Sequence, residues 1–182
     1  SDLSGRTLVM VNPDCEIRPG TLQTFDEHFR ASPKSGAAGG RLTYGDGSFQ
    51  DAAFRFPSLA QVYLDVWPLN WRLTQSRLNG RYPRAHDATA FPCDFVLGAL
   101  MAVRREAYLA TGGFDPAYFM YVEEVDWCRR LGTQGWEVWH LPGAVATHHA
   151  GQSTRTLAGR MFVELHRSRL RYYRRYWSPP AV

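Results

Sequence analysis

The apolar run Thr7-Leu8-Val9-Met10-Val11 stops abruptly at Asn12-Pro13-Asp14. Five such residues suit a buried strand, and proline cannot continue a central one. The chain must therefore turn there, with a carboxylate just beyond the strand's carboxyl end. Strand-length runs then alternate with helical spacing. Leu22, Phe25 and Phe29 predict a helix after Pro19-Gly20, closed at Ser32-Pro33-Lys34-Ser35-Gly36. Ala37 to Thr43 predicts a strand through a glycine pair, and Gly45-Asp46-Gly47-Ser48 a hairpin leading to Phe49-Gln50. Ser58 to Leu78 reads as a helix interrupted at Pro68, and Asn79 to Pro92 as a mobile loop. Phe95 to Val103 reads as one strand with close backbone approach at Gly98-Ala99. Arg105 to Ala110 predicts a short helix stopped by Gly112-Gly113. Trp136 to Leu141 alternates as a strand ending at Pro142, and Ala144 to Thr147 leads into His148-His149. A basic, aromatic helix is predicted from about Thr156 to Tyr176. The mixture predicts a layered α/β domain.

At 182 residues with 45% apolar content, the chain can build one real core. No apolar run approaches the ~20 residues needed to cross a bilayer, and no basic-then-apolar segment opens the chain. Cys15, Cys93 and Cys128 are odd in number and far apart, which predicts free thiols in a reducing compartment. No zinc-type ligand spacing accompanies them. The chain is therefore expected to be soluble and cytoplasmic. Net charge is +4 but uneven: from Gly151 onward there are seven arginines and one acid, Glu164. Such a tail can be a solvated helix face, or can meet phosphates or an anionic membrane at its inner face. Its tyrosines and Trp177 could also stack nucleic-acid bases. No nucleic-acid motif accompanies them, so no nucleic-acid partner is expected.

Three segments offer chemistry. Asp14, past a strand end, can hold a hard divalent cation, although Asn-Pro-Asp is equally good turn chemistry. In Phe119-Met120-Tyr121-Val122-Glu123-Glu124-Val125-Asp126-Trp127 three carboxylates enter the first turns of a helix. They can simply complement the helix dipole, or one can be a base tuned by its neighbours. Glu123 and Asp126 are expected on one helix face, with Glu124 turned about 100° away. His148-His149, followed by Gly151-Gln152-Ser153, can supply an imidazole to Asp14's cation.

Taken in order, the motifs resemble the family 2 inverting glycosyltransferases of the GT-A fold, especially the bacterial rhamnosyltransferase-like branch. The matching residues begin with Val11-Asn12-Pro13-Asp14, Pro19-Gly20-Thr21-Leu22, Gly40-Arg41-Leu42, Asp46-Gly47-Ser48-Phe49-Gln50 and Phe56-Pro57-Ser58-Leu59. They continue with Asp94-Phe95-Val96-Leu97-Gly98-Ala99, Val103-Arg104-Arg105-Glu106-Ala107, Gly112-Gly113-Phe114-Asp115 and Phe119-Met120-Tyr121. Glu123-Glu124-Val125-Asp126, Cys128-Arg129-Arg130 and His148-His149-Ala150-Gly151-Gln152-Ser153 complete the set.

The resemblance implies a GT-A-like mixed sheet flanked by helices, incomplete at its N-terminal side. Residues 1–182 would be a single domain, the metal- and acceptor-side portion of such an enzyme, without the βαβ segment that holds the nucleoside. The open sheet edge would then favour oligomers. By the same resemblance, Asp14 would bind Mg²⁺ or Mn²⁺ and the donor diphosphate, with Asn12 in the place of the signature's first acid. His148 would complete the metal site. Glu124 would be the general base, a Glu where the family usually has Asp, with Glu123 and Asp126 as alternatives. Asp94, Gly98 and Ala99 would line the acceptor side, and Arg105 belongs to a basic pair at the site. The implied reaction moves a sugar, with inversion, from a nucleoside-diphosphate sugar to a saccharide or lipid-linked acceptor in cell-surface polysaccharide synthesis. Residues 160–177 could contact the membrane. The competing expectation is a non-catalytic remnant that binds carbohydrate or protein.

Overall fold

The computed structural model describes residues 5–66, 77–83, 88–149 and 158–177. Its main sheet has the strand order β1 (Thr7–Val11), β8 (Leu100–Arg104), β3 (Ser35–Thr43), β9 (Glu137–His148) and β2 (Cys15–Ile17). Two short strands extend it: β4 (Phe49–Gln50) on β3 and β6 (Phe91–Cys93) on β9. Among the described residues only the β3–β9 pair is parallel; the other ladders are antiparallel. A second sheet pairs β5 (Ala53–Phe54) with β7 (Phe95–Val96).

Period-two alternation sorts the central strands onto two faces. Ala38, Leu42, Leu100 and Ala102 point to the side covered by α1 (Thr21–Ala31), where Phe25 and Phe29 are buried. Ala37, Met101, Val103 and Val138 point to the other side. There they meet Ala107 of α3 (Arg105–Thr111) and Trp127, Cys128 and Leu131 of α4 (Glu123–Thr133). Each fully buried Leu, Phe or Met adds ~1.5–3 kcal/mol. Trp127 also satisfies its indole N–H by donating to Thr111 Oγ1 at 2.7 Å. A third cluster joins Val122 and Val125 to Tyr172 of α5 (Ala158–Tyr176). Helix α2 (Leu59–Val66) and a 3-10 helix at Arg77–Asn79 complete the described helices.

Several expectations need correction. The strand expected to end at Pro142 runs on as β9 to His148. The β3–β9 register shifts between Gly40 and Arg41, and this irregularity accommodates Pro142-Gly143-Ala144. A Cβ on Gly40 would stand 2.5 Å from Ala144 O, so glycine there permits the close approach. The single strand expected over Phe95 to Val103 is two. The chain changes sheets at Leu97-Gly98-Ala99, where Leu97 N–H donates to Ala52 O and Ala99 O accepts from Asn12 N–H. In α1 the helix is as expected, but Leu22 faces solvent and Thr21 takes the buried place. Within the expected Asn79 to Pro92 loop, Arg81 bridges to Phe54 and Phe91 begins β6. Pro68, His86, Asp87 and Gly151-Gln152-Ser153 lie outside the described residues.

Candidate active site

The turn after β1 is closed by Cys15 N–H donating to Asn12 O at 3.0 Å, with Pro13 in the second position that its fixed φ suits. Strand β2 then pairs with the end of β9, Cys15 opposite His148, and His149 N–H donates to Asp14 O at 2.8 Å. These backbone bonds bring Asp14 Oδ1 to 3.4 Å from His148 Nε2. Across the ring, His148 Nδ1 lies 3.0 Å from Gln50 Oε1. An amide oxygen only accepts, so in this contact Nδ1 is the donor and Nε2 is turned toward Asp14. A cation or a proton between Nε2 and the carboxylate oxygen would join the two groups.

Cys15 Sγ is the third potential ligand, all three within 4.8 Å of one another. Burial, and then the Asp14 charge, push its thiol up to about 11, and its side chain packs toward the α1-side core. The carboxylate and the imidazole form a set that fits a divalent cation whose remaining shell comes from phosphate or water oxygens.

Helix α4 starts from strained backbone. Tyr121 and Val122 have φ of 67° and 70°, a conformation that costs an L-residue ~1–2 kcal/mol and is rarest for a β-branched one. Packing against α5 holds it: Val122 is buried with Tyr172, and Ser168 Oγ donates to Met120 O at 2.7 Å. The kink presents the first two helical residues, Glu123 and Glu124, to one cavity. Burial and then the neighbouring Glu123 charge raise Glu124 to about 7, partly offset by the backbone N–H groups of Glu124 and Val125. Burial also raises Glu123, whose Oε2 is buried without a hydrogen-bond partner among the described residues.

The cavity measures about 600 Å³ and unites Asn12, Asp14 and His148 on one side with Glu123 and Glu124 on the other. Gly98 and Ala99 form part of its wall, and a Cβ on Gly98 would reach ordinary contact with Glu124 Cβ at 3.9 Å. Pro13, Met120 and Tyr121 line it as well.

Three residues expected at the site lie elsewhere. Asp126 is fully buried on the α5 side of α4, where Arg130 Nε donates to it at 2.8 Å and the Tyr176 hydroxyl at 2.8 Å. The expected face shared by Glu123 and Asp126 is thus replaced by a Glu123–Glu124 pair, because the cavity wraps the helix end while Asp126 sits further along against α5. Asp94 accepts from Phe56 N–H at 2.7 Å and holds the second sheet's edge. Arg105 is exposed at the start of α3, and its neighbour Arg104 ties β8 to α1 by donating to Phe29 O and Ser32 O.

Gln50 was not singled out from the sequence as a site residue. Only the β3–β4 hairpin brings its amide to His148. The Asp46-Gly47-Ser48 turn signal announces the hairpin but not its neighbour on β9.

Residues 6–174 match the protein family described as Glycosyltransferase like family 2. The chain is 34% identical over 152 residues to N-acetylglucosaminyl-diphospho-decaprenol L-rhamnosyltransferase of Mycobacterium tuberculosis, covering 81% of this chain and 48% of that protein. It is 34% identical over 82 residues to Rhamnosyltransferase WbbL of Escherichia coli strain K12, covering 45% and 31%. The chain thus spans about half or less of the length of the curated relatives it matches. Among solved structures it resembles GalNAc-T7 with UDP, GalNAc and Mn²⁺, with a TM-score of 0.52 and 14% identity over 79% of this chain and 27% of that one. The likeness extends to the GT-A-like fold.

Proposed function

Since the chain belongs to the family 2 glycosyltransferases, we propose that its cavity transfers a sugar from a nucleoside-diphosphate donor with inversion. The names of both curated relatives make rhamnose the sugar of choice, and that of the mycobacterial relative makes a lipid-diphosphate-linked saccharide the acceptor. The observation that carries the reading is the convergence of a raised carboxyl, Glu124, and the Asp14–His148 pair on one cavity.

Glu124, as the carboxylate, accepts the proton of an acceptor hydroxyl. The hydroxyl oxygen forms its bond to the anomeric carbon from the face opposite the diphosphate. The carbon–oxygen bond to phosphate breaks, and its electron pair leaves on the diphosphate. A single displacement inverts the centre and forms no covalent enzyme intermediate. Glu123 keeps the Glu124 proton acceptor basic through its charge. Asp14 and His148 Nε2 would hold Mg²⁺ or Mn²⁺, and Gln50 would fix the imidazole tautomer for it. Such a cation offsets charge developing on a departing diphosphate. Asn12, Gly98 and Ala99 shape the wall against which donor and acceptor pack.

The test is transfer of labelled rhamnose from nucleoside-diphosphate rhamnose to a lipid-diphosphate N-acetylglucosamine acceptor, with product anomer read by NMR. The expected result is an inverted product, reduced ~10²–10⁴-fold in Glu124→Gln. A retained anomer, or undiminished turnover by Glu124→Gln, contradicts the reading.

A further inference from the structure

Helix α5, 19 residues long, has three sides rather than two. At roughly 100° per residue, Met161, Ser168 and Tyr172 fall together and are buried. The next side carries Phe162, Val163 and Leu170, exposed by 64%, 46% and 43%. The third carries Arg160, Arg167, Arg171 and Arg174, all exposed. The apolar side continues onto α2. Val62 joins Phe162, Leu165, His166, Arg169, Leu170 and Tyr173 around a groove of about 520 Å³, and α2 also carries exposed Leu59 and Tyr63. The basic side borders its own groove of about 670 Å³, lined by Arg167, Arg171, Arg174 and Arg175 together with Asp115, Glu164, Phe119 and Leu170.

A surface helix ordinarily gives its whole solvent arc to polar residues. Scattered exposed leucines need no explanation, but a patch continuous over two helices does. Charge selects what covers it. Arg167 is paired with Glu164, and Arg175 with Asp115 and Asp126. Arg160, Arg171 and Arg174 make no close ion pair among the described residues, although the Arg171 charge reaches Asp115; Arg160 and Arg171 lie over the Phe119 and Tyr118 rings. Their stripe runs parallel to the apolar stripe along the same helix, so one flat surface can meet both at once. A bilayer interface has that layout, phosphates above an acyl boundary.

We infer that the α2–α5 face docks on an anionic bilayer. Phe162, Val163 and Leu170 enter the acyl boundary, while Arg160, Arg171 and Arg174 meet lipid phosphates. The docking helix is coupled to the reaction cavity: Ser168 holds Met120 O, and Met120 and Tyr121 line that cavity. Docking would therefore anchor the helix that supports the cavity's loop at the membrane, where a lipid-linked acceptor resides. That consequence rests on the proposed transfer; the docking itself does not.

Co-sedimentation tests it with phosphatidylcholine vesicles containing about one third phosphatidylglycerol, against phosphatidylcholine alone, at about 0.1 M salt. Wild type should bind the anionic vesicles at least ~10-fold more tightly. Each arginine near such a surface contributes roughly fivefold, so Arg171→Gln with Arg174→Gln should weaken binding ~25-fold. Phe162→Asp with Leu170→Asp should abolish it, with unchanged thermal midpoints because all four side chains are exposed. No binding by folded wild type, or equal binding by the variants, overturns the inference. So does a dimer in sedimentation velocity that Phe162→Asp dissociates, which would assign the face to a second copy. The assay contains no sugar, so its failure leaves the transfer reading standing.

Discussion

Burial beside Glu123 holds the Glu124 proton to a pKa of about 7, against 4.5 for the ordinary group, and this ties activity to stability in opposite directions. The base works only when ionised, so the transfer rate should rise with pH and level off above about 7. Glu124→Gln should remove that limb. For stability the sign reverses. The folded chain binds the proton more tightly than the unfolded chain, so the contribution is complete below 4.5 and is lost as pH rises through about 7. Denaturant titrations across that window should show wild type losing stability relative to Glu124→Gln. Asp126 offers the contrast. Its removal strips partners from the buried ends of Arg130 and two tyrosines and should cost ~3 kcal/mol. Chemical unfolding should therefore register Asp126→Ala as a loss across the pH range, whereas Glu124→Gln should differ from wild type in a way that changes as pH rises from 4.5 through about 7. At Gln50, replacement by Leu should weaken metal binding ~10–100-fold by freeing the His148 ring. The sequence pointed to Asp14, His148, Glu123 and Glu124, because each sits in a motif that starts or ends an element. It could not separate Asp126 from them, since only the packing of α5 decides which side of α4 is wet.

Elements carry the next level of the account. The α4 entry is held in left-handed backbone by α5, so loosening α5 should disturb the glutamates without touching them. Ser168→Ala removes the bond to Met120 O and should cost ~1 kcal/mol. A fall in kcat beyond that of an equally destabilised variant on α1 would mark the coupling. Period and turn chemistry made most elements legible: α1, α3, α4, α5 and the β3–β4 hairpin follow their apolar spacing or their Gly-rich turns. Pro142 misled because proline marks an end only while the ladder stays regular, and here the register shift at Gly40 absorbs it. The apolar continuity of Phe95 to Val103 hid a change of sheet, since both halves are buried and only long-range pairing distinguishes them.

For the whole molecule, β1 pairs with β8 alone among the described residues, with Val9 and Val11 partly exposed. An open edge of this kind promotes pairing between copies. Sedimentation equilibrium should show concentration-dependent association that Val9→Lys suppresses. Fold class was readable because alternating strand and helix patterns admit few layered solutions. The cavity was not, because it forms where β1, the Leu97-Gly98-Ala99 crossing, β9 and α4 meet, and no local pattern encodes that meeting. The central claim is that this meeting builds a diphosphate–cation site facing a base. Calorimetric titration of Mn²⁺ with a nucleoside diphosphate into wild type and Asp14→Ala tests it most directly. The account predicts saturable binding to wild type that weakens at least ~10-fold in Asp14→Ala; equal binding to both folded proteins, or none to wild type, would contradict it.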